Sequence, residues 1–544
     1  MMKTQKIIAL LMMNVLIVFS VHAQKNEEVR QLIKQRVEAG IDNKSVAASG
    51  IVLFSQNELP KFYKNRAYIP AWDDEKNVND LMVSLRYSYL EGLTPGDYHL
   101  EKIDSLKNIK ELNTEEQADL DMLLTDALLM YASHLILGKV EQAKINPGWD
   151  MPVNTLPLNI DSLLTHSLET GSIREDLENL KPQNFMYKHL KTGLEHYKEI
   201  ARNGGWPQIP GGLVLKKGVA EDRVLTLRKY LFITGDMDSY DETNNNFDDE
   251  VEDGVKQFQF RHNLNQDGVV GKETLALMNV PVEKRIEMIR ISLERARWVM
   301  HNLEDDYLVV NIAGFNIRRV TNEEVVFYSR VIVGRNHHES PIFKGKLTYF
   351  VLNPTWTLPY SIATKETLPK LQKDPSYLAK KNMEIMDRSG KVLDPSTIDF
   401  SQYSRHNFPF TIRQKAGPHN ALGEVKFMFP NPYAVYLHDT PARSLFGRED
   451  RAFSHGCIRL DKKWELLMNL TNEPDVWNME KINSIIQSRK TTQVNLKHPI
   501  TILILYWTAG ADKEDRLYFD KDVYNRDAVV LKALDTPVHF KVAE

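Results

Sequence analysis

The hydrophobic pattern of the chain changes its period near residue 306. Before that point apolar residues recur three and four positions apart, as in 26–40 and 114–140, which predicts amphipathic helices. After it, β-branched and aromatic residues alternate or run continuously, as in 324–334, which predicts strands. Helices collected in one part of a chain and strands in another are typical of a multidomain α+β protein.

The helical part is predicted to extend from 24 to 214 and to act as a packing scaffold. Thr114 stands three residues before Gln117, a pattern that predicts a helix N-terminus at Thr114. Segments rich in aromatic residues and proline interrupt the helices at 59–72 and 92–100. The aromatic residues of the scaffold are interpreted as core and turn residues, with a glycan-binding groove as the alternative. They include Tyr63, Trp72, Tyr98 and Trp206.

A smaller helical unit is predicted at 221–279. Two helices flank an acidic, asparagine-rich loop, and the turn QDGVVG leads into a short third helix. The loop lacks regular ligand spacing with a terminal bidentate glutamate, so a solvated loop is favoured over a calcium site. The next segment, 282–303, contains neither glycine nor proline and predicts a long amphipathic helix that links this unit to the strands.

The strand-rich part is predicted to form one domain over 305–536. Within it, residues 361–416 leave the strand pattern for polar helix and loop sequence, which predicts an insert. A long insert beside a sheet is often a lid over a binding cleft. Trp356 and Tyr360 stand near the start of this insert, and they either line the cleft or pack against the edge of the sheet.

Cys457, the sole cysteine of the 544 residues, lies in the segment SHGCIR. A thiol of ordinary pKa, about 8.5, is largely protonated at neutral pH, so a nucleophile needs a base beside it. His438 follows the strand-like run AVYL and is the predicted base, the alternative being a hydrogen-bonded histidine at a strand end. Cys457 itself is either this nucleophile or a small buried hydrophobic residue.

The residues around the cysteine predict how such a reaction would be supported. Ser454 and Gly456 allow a tight turn, so the N–H groups of Gly456 and Cys457 are expected to point at a developing oxyanion. Arg459 has a fixed charge and a forked guanidinium group, which suits either a substrate carboxylate or a structural role. His455 either shapes the site or fills space.

The order of a histidine, fifteen residues and then Ser-His-Gly-Cys-Ile-Arg resembles the catalytic signature of the L,D-transpeptidases, whose catalytic domain is of the YkuD type. The resemblance implies that Cys457 is acylated, that His438 is the base and that His455 helps to shape the site. It also implies that the backbone carbonyl of Asp439, rather than its carboxylate, steadies the His438 ring.

Other segments carry the same resemblance. The aromatic segments of the scaffold resemble the N-terminal region of the larger Gram-negative members, which also carry a capping segment at the place of the lid insert. The unit at 221–279 resembles a three-helix peptidoglycan-binding-like domain, which either binds glycan strands or serves as a spacer. The stretch 416–427 resembles one that precedes the signature, and Asn420 is expected in a turn near the cleft, with a supporting role toward the substrate.

The resemblance implies a reaction on peptidoglycan stem peptides. The Cys457 thiolate would attack the carbonyl that joins the third residue of a tetrapeptide stem to its terminal D-alanine. The resulting thioester would pass to a side-chain amine of a neighbouring stem, which gives a cross-link between third residues without a metal or a nucleotide. The expected partners are therefore donor and acceptor stems, with glycan strands and other wall-synthesis enzymes as further candidates. Carbapenem inhibitors are expected to acylate Cys457.

Three alternatives to cross-linking remain open at this point. Water could accept the thioester, as in an L,D-carboxypeptidase or endopeptidase, or the acceptor could be the terminal lysine amine of an outer-membrane lipoprotein. The third alternative is a wall-binding scaffold with an inactive site. The 69 Lys and Arg residues nearly balance the 73 Asp and Glu residues, which gives no case for a nucleic-acid partner.

The N-terminus predicts export. Two lysines precede the apolar run 7–21, which ends in Val-His-Ala at 21–23, so 1–23 is interpreted as a secretory signal too short to span a membrane easily. A periplasmic location is expected, with an uncleaved anchor in the inner membrane as the alternative. A solitary cysteine excludes an intramolecular disulfide, so stability must come from burial.

Overall fold

The structure, a computed structural model, describes residues 24–40, 45–145, 149–151, 160–301 and 303–538. The predicted signal, 1–23, lies outside the described residues. The N-terminal part is mainly helical, as predicted, and a hairpin of β1 (Ala47–Ala48) and β2 (Ile51–Val52) follows its first helix. Its helices are α1 (24–40), α2 (Glu58–Asn65), α3 (Glu75–Arg86), α4 (Leu100–Lys107), α5 (Thr114–Leu137), α6 (Gln142–Ile145), α7 (Ile160–Thr170), α8 (Ile173–Asn179) and α9 (Phe185–Arg202).

Helix α5 is the central helix of this part. The Asn113 and Glu116 side chains each accept a hydrogen bond from the other's backbone N–H, so the cap lies one residue before the predicted Thr114. Helix α5 is long and apolar enough to cross a membrane, but 83% of its apolar window is buried within the protein, as expected of a core helix. Tyr63, Tyr98 and Trp206 are buried as well, which confirms their interpretation as core residues.

The small unit consists of three helices, as predicted, and it packs tightly against the rest of the protein. Its helices are α10 (Asp222–Ile233), α11 (Asp249–Arg261) and α12 (Lys272–Met278). The following helix, α13 (Val282–Val299), is buried on several sides and packs against α9 and α5. One continuous hydrophobic core runs from α9 through the small unit and α13 into the strands. The predicted linking helix is therefore a core element. Its buried charged side chains are paired within the fold, as Glu294 is with Arg297.

The strand-rich part is built on a sheet that closes on itself. Strand β3 (Trp149–Asp150) precedes this part in the chain. The strands within it, not all of which belong to the closed sheet, are β4 (Asp306–Asn311), β5 (Asn316–Thr321), β6 (Glu324–Gly334), β7 (Ile342–Leu352), β8 (Trp356–Thr357), β9 (Met383–Met386), β10 (Val392–Leu393), β11 (Thr411–Gln414), β12 (Val425–Met428), β13 (Leu437–His438), β14 (Ala452–Ser454), β15 (Ile458–Leu460), β16 (Thr492–Leu505), β17 (Ala509–Ala511) and β18 (Leu517–Phe519). Strand β12 pairs with both β13 and β7, which closes the order β12-β13-β15-β6-β5-β4-β16-β7 into a barrel. Strand β3, which sequence analysis did not foresee, joins the barrel by pairing with the start of β7.

The insert forms a folded subdomain of its own. It contains α14 (Tyr360–Ile362), a π-helical turn (Ala363–Thr367), α15 (Leu368–Leu371) and α16 (Tyr377–Lys380). A separate sheet of order β10-β9-β11-β8 lies beside these turns, and apolar side chains of the insert form a hydrophobic core distinct from that of the barrel. Within the described residues, three helices follow the signature: α17 (Lys463–Thr471), α18 (Met479–Ser488) and α19 (Asp527–Asp535).

Candidate active site

The signature lies on the outer face of the barrel, where β13 and β15 run parallel to each other. Leu437 pairs with Ile458 and His438 pairs with Arg459. Because Leu437 and Ile458 are fully buried in the barrel, the alternate positions point outward. The ladder continues one residue further back, since the Ile458 N–H donates to the Tyr436 carbonyl over 3.1 Å. The outward face therefore carries Tyr436 and His438 on one strand and Cys457 and Arg459 on the other.

His438 is held in a fixed orientation by the next residue. Its Nδ1 lies 2.6 Å from the carbonyl oxygen of Asp439, so Nδ1 carries the proton and donates it to this acceptor. Burial, and then the positive charge of Arg459, lower the pKa of His438 from 6.5 to about 3. The imidazole is therefore neutral at physiological pH, with Nε2 unprotonated and able to accept a proton. This is the carbonyl contact that the family resemblance implies.

Asp439 is itself anchored by a buried network. Its carboxylate accepts a hydrogen bond from the Glu424 N–H over 2.9 Å and forms an ion pair with Lys463. Gly423 lies directly beside it with φ +63°, and a Cβ atom at that position would approach the Asp439 carboxylate to 2.1 Å. The close approach requires glycine at 423. The position of the carbonyl that orients His438 thus depends on this turn.

The Asp439→Ala variant is expected to lower the free energy of unfolding by about 2–3 kcal/mol, because Lys463 and the Glu424 N–H lose a buried partner. Urea denaturation measures the change, and Asp439→Asn should lose less because it keeps an acceptor for that N–H. Asp475→Ala, which changes an exposed aspartate, is the matched control and should stay within about 0.5 kcal/mol. Equal stabilities of the Asp439→Ala and Asp475→Ala variants would contradict the anchoring role.

The Cys457 thiol is partly exposed and lies against Tyr436. Its S–H donates to the Ala434 carbonyl over 3.8 Å, and no hydrogen bond joins it to His438 among the described contacts. Burial raises the pKa of Cys457, while hydrogen bonds from the Tyr436 N–H and hydroxyl act in the opposite direction. The thiol is therefore protonated at neutral pH, and proton transfer requires it to turn from Ala434 toward His438. Such contacts are often loose before substrate binds.

Ser454 and Gly456 form the turn that precedes the cysteine, but they differ from the expectation in one respect. The Gly456 N–H donates to the Ser454 hydroxyl over 3.1 Å, and that hydroxyl donates to the Cys457 carbonyl over 2.6 Å. The expectation that the Gly456 N–H faces an oxyanion is therefore wrong, because Ser454 occupies it. The Cys457 N–H has no acceptor within the part of the chain that the structure describes, and it stays available. Gly456 is required for its φ of +111°.

Tyr436 is a site residue that sequence analysis missed. Its ring lies 5.7 Å from the His438 ring, and its hydroxyl contacts both the Cys457 thiol and the Trp356 side chain. The alternation of strand residues could have revealed it, because Tyr436 precedes His438 by two positions and so shares its face. Trp356 thus contacts the site through Tyr436. Tyr360 lies further out and donates its hydroxyl to the Arg405 carbonyl within the insert.

The Tyr436→Phe variant is expected to raise the pKa of Cys457 further, because one hydrogen bond to the thiolate is lost. The measurement is the rate of Cys457 alkylation by iodoacetamide as a function of pH. Tyr433→Phe is the matched control, since the hydroxyl of Tyr433 bonds to Asp150 instead. Identical pH profiles for the two variants would exclude a role of the Tyr436 hydroxyl at the thiol.

His455 joins the signature to the insert. Its Nε2 lies 2.9 Å from Arg335 Nη2 and 2.8 Å from Glu366 Oε1, and Glu366 belongs to the π-helical turn. Nε2 accepts from Arg335 in one tautomer and donates to Glu366 in the other. Its ring also lies 5.1 Å from that of His338. This position supports a site-shaping role for His455.

Asn420 does not face the cleft. The side chain is 1% exposed, and its amide donates to the carbonyls of Gln414 and Lys415 while its oxygen accepts from the Leu422 N–H. The expected contact with substrate is therefore corrected to a role inside the turn, because the backbone uses every polar atom of this side chain. Arg459, in contrast, points outward beside His438.

The small helical unit holds the segment that leads into the cysteine. Arg451 Nη2 donates to Asn263 Oδ1 over 3.0 Å, and the N–H and side-chain amide of Asn265 both donate to Glu449 Oε1. On its other side, the segment pairs with the end of β6, because the Val333 N–H donates to the Arg451 carbonyl. The segment is thus fixed between the small unit and the barrel.

Three parts of the chain match known protein families. Residues 57–194 match the family described as "Scaffold domain" and 221–278 match "Putative peptidoglycan binding domain". Residues 305–482 match the YkuD family, described as "L,D-transpeptidase catalytic domain". The protein named "Putative L,D-transpeptidase" from Haemophilus influenzae (strain ATCC 51907 / DSM 11121 / KW20 / Rd) is 36% identical over 220 residues. The match covers 40% of this chain and 44% of that relative, so the chain spans less than half of the relative's length.

Two solved structures share a limited likeness with the chain. The crystal structure of L,D-transpeptidase (Yku) from Stackebrandtia nassauensis is 12% identical, with a TM-score of 0.23, over 55% of this chain and 96% of that one. That of the L,D-transpeptidase (residues 123–326) from Xylanimonas cellulosilytica DSM 15894 is 11% identical, with a TM-score of 0.17, over 54% and 99%.

Proposed function

We propose that this chain, whose residues 305–482 match the L,D-transpeptidase catalytic domain of the YkuD family, cross-links peptidoglycan stems through a thioester at Cys457. The observation that carries the proposal is the shared outward face of β13 and β15. It holds a thiol and a neutral imidazole whose Nδ1 is fixed by the Asp439 carbonyl. A nucleophile, a base and a group that orients the base are the parts that acyl transfer requires.

The first half-reaction forms the thioester. Nε2 of His438 takes the proton from the Cys457 sulfur as the sulfur attacks the carbonyl that joins the third stem residue to D-alanine. The C–N bond then breaks, and D-alanine leaves with the proton that His438 returns to its nitrogen. The Cys457 N–H, together with the Tyr436 hydroxyl, stabilises the oxyanion of the intermediate.

The second half-reaction transfers the acyl group. A side-chain amine of a neighbouring stem attacks the thioester and loses a proton to His438. The C–S bond breaks, the thiol is restored with that proton, and an amide joins the third residues of the two stems. Water in place of the amine would give a shortened stem instead, from the same thioester.

Product analysis separates these outcomes. The protein is incubated with synthetic tetrapeptide stems, and released D-alanine and peptide products are identified by mass. We expect D-alanine together with dimers joined between third residues, and no reaction with tripeptide stems as donors. Shortened monomers without dimers would assign hydrolysis, and an absence of released D-alanine would contradict the proposal.

The protein is proposed to act in the periplasm, in contact with glycan strands. The peptidoglycan-binding unit is expected to contact glycan strands, and the predicted signal is expected to carry the protein to the periplasm. Cell fractionation, with the N-terminus of the mature protein determined by mass, tests export and distinguishes a cleaved signal from an inner-membrane anchor.

A further inference from the structure

Two cations flank His438 on the outward face of the barrel. Lys426 on β12 pairs with His438, and His438 pairs with Arg459 on β15, so the three residues form a row across neighbouring strands. Paired positions in adjacent strands point to the same face, and neighbouring strands are about 4.8 Å apart. The Lys426 ammonium lies 5.6 Å from the centre of the Tyr436 ring, which places it toward the Cys457 end of this face.

Among the residues that the structure describes, neither cation has a protein anion as its partner. Within the described ranges no carboxylate lies within ion-pair distance of Lys426 or Arg459, and Nε of Arg459 is buried without a hydrogen-bond partner. The neighbouring Lys463, in contrast, is paired with both Glu424 and Asp439. Both unpaired side chains are partly buried. Withdrawing a cation from water without a counter-charge is unfavourable, so the arrangement is suited to an anion supplied by a ligand.

We propose that Lys426 and Arg459 bind the free carboxylate of the terminal D-alanine of the donor stem. This inference rests on the proposed function and names the group by which that site recognises a tetrapeptide. In such a stem one nitrogen and one α-carbon separate the carboxylate from the carbonyl that Cys457 attacks. Arg459 follows Cys457 by two residues, about 6.6 Å along the strand and on the same face, so its side chain would face the carboxylate when the carbonyl meets the thiol.

The chemistry of the two side chains fits a carboxylate. A guanidinium group presents parallel N–H donors that match the two carboxylate oxygens, and the lysine adds a mobile charge on the other side of His438. A stem that is extended by a further residue has its carboxylate one residue further from the attacked carbonyl, and a stem that is amidated at its C-terminus has none. The pair would therefore select stems that end in a free D-alanine.

A competing role for the same charges is to stabilise the thiolate. Both cations lower the pKa of Cys457, although burial outweighs them. Loss of that effect would slow every reaction of the thiol, whatever the substrate. Loss of a carboxylate site would slow the reaction of stems that carry the carboxylate and leave uncharged reagents nearly unaffected, which distinguishes the two roles.

The test compares two synthetic tetrapeptide stems that differ in ending with a free carboxylate or a carboxamide. The wild-type protein is expected to have a kcat/KM about 10- to 100-fold higher for the acid, measured by mass as released D-alanine or D-alaninamide. The Lys426→Met/Arg459→Met double variant should lower this ratio to near one, chiefly by losing reactivity toward the acid. Lys346→Met, which changes an exposed lysine on β7, should keep the wild-type ratio.

Alkylation of Cys457 by the uncharged reagent iodoacetamide provides the second readout, and urea denaturation shows that the variants are folded. We expect the alkylation rate of the double variant to stay within about threefold of wild type. A ratio near one in an active wild-type protein, or a preserved ratio in the double variant, would overturn the inference alone. Equal losses for acid, amide and iodoacetamide would overturn it in favour of thiolate stabilisation. Absence of release from both stems overturns the proposed function and this inference with it.

Discussion

The Cys457→Ala variant is expected to release no D-alanine from tetrapeptide stems and to form no covalent adduct with a stem or a carbapenem. The reason is that the proposed thioester needs the sulfur, and Cys457 is the sole cysteine of the chain. Cys457→Ser should retain the shape of the side chain and still lose at least about 10³-fold in rate, because a hydroxyl is far harder to deprotonate than a thiol.

Intact-protein mass after incubation with stem or carbapenem measures the adduct directly. The alanine variant should keep the wild-type free energy of unfolding to within about 1 kcal/mol, since a small, partly exposed side chain is removed. This control ensures that lost activity does not come from lost folding. Unchanged release of D-alanine by Cys457→Ala would exclude the thioester mechanism.

The thiol and the imidazole of this site are both uncharged before substrate binds. Burial acts on both groups in the direction that disfavours charge: it raises the pKa of Cys457 and lowers that of His438. A preformed pair of thiolate and imidazolium is therefore not the resting state. The native protein should lack the ultraviolet absorbance of a thiolate at pH 7 when compared with Cys457→Ala, and the proton should move during attack on the substrate.

Elements that depend on residues close together in the sequence could be predicted from the sequence alone. The strand 324–334 coincides with β6, and His438 lies at the end of β13, as the preceding run AVYL predicted. Each of these features depends on residues close in sequence or on alternation within one strand. The three helices of the small unit were predicted for the same reason.

Two features that sequence analysis missed depend on which strands become neighbours. Lys426 enters the site because β12 pairs with β13, and no pattern within 425–428 indicates that pairing. The pairing of β3 with β7 joins segments far apart in the chain. The direction of the Gly456 N–H was missed for a different reason: it depends on a single hydroxyl, that of Ser454, whose orientation is a matter of side-chain geometry.

The His438→Gln variant is expected to lower the rate of Cys457 acylation by about 10²–10⁴-fold, the usual contribution of a positioned general base. Glutamine retains an N–H donor for the Asp439 carbonyl, so the turn that contains this residue should keep its structure. It lacks a nitrogen able to accept the thiol proton, and the reaction must then wait for spontaneously formed thiolate.

The pH dependence of the rate distinguishes this loss from a general disturbance. With the pKa of His438 at about 3 and that of Cys457 raised, the wild-type rate should be level between about pH 5 and pH 8. The rate of His438→Gln should instead rise about tenfold with each pH unit over that range, following the thiolate fraction. A level profile in the variant would show that another group accepts the proton.

The pH dependence of the unfolding free energy tests the charge state of His438 independently of its role in the reaction. In the unfolded chain His438 takes up a proton below its ordinary pKa of 6.5, whereas in the fold it does so near 3. Acidification between these values therefore favours the unfolded state, so the contribution of neutral His438 is present above pH 6.5 and is lost as the pH falls toward 3. His438→Gln should reduce the slope of unfolding free energy against pH in this window. An unchanged slope would mean that the imidazole is not held neutral by burial.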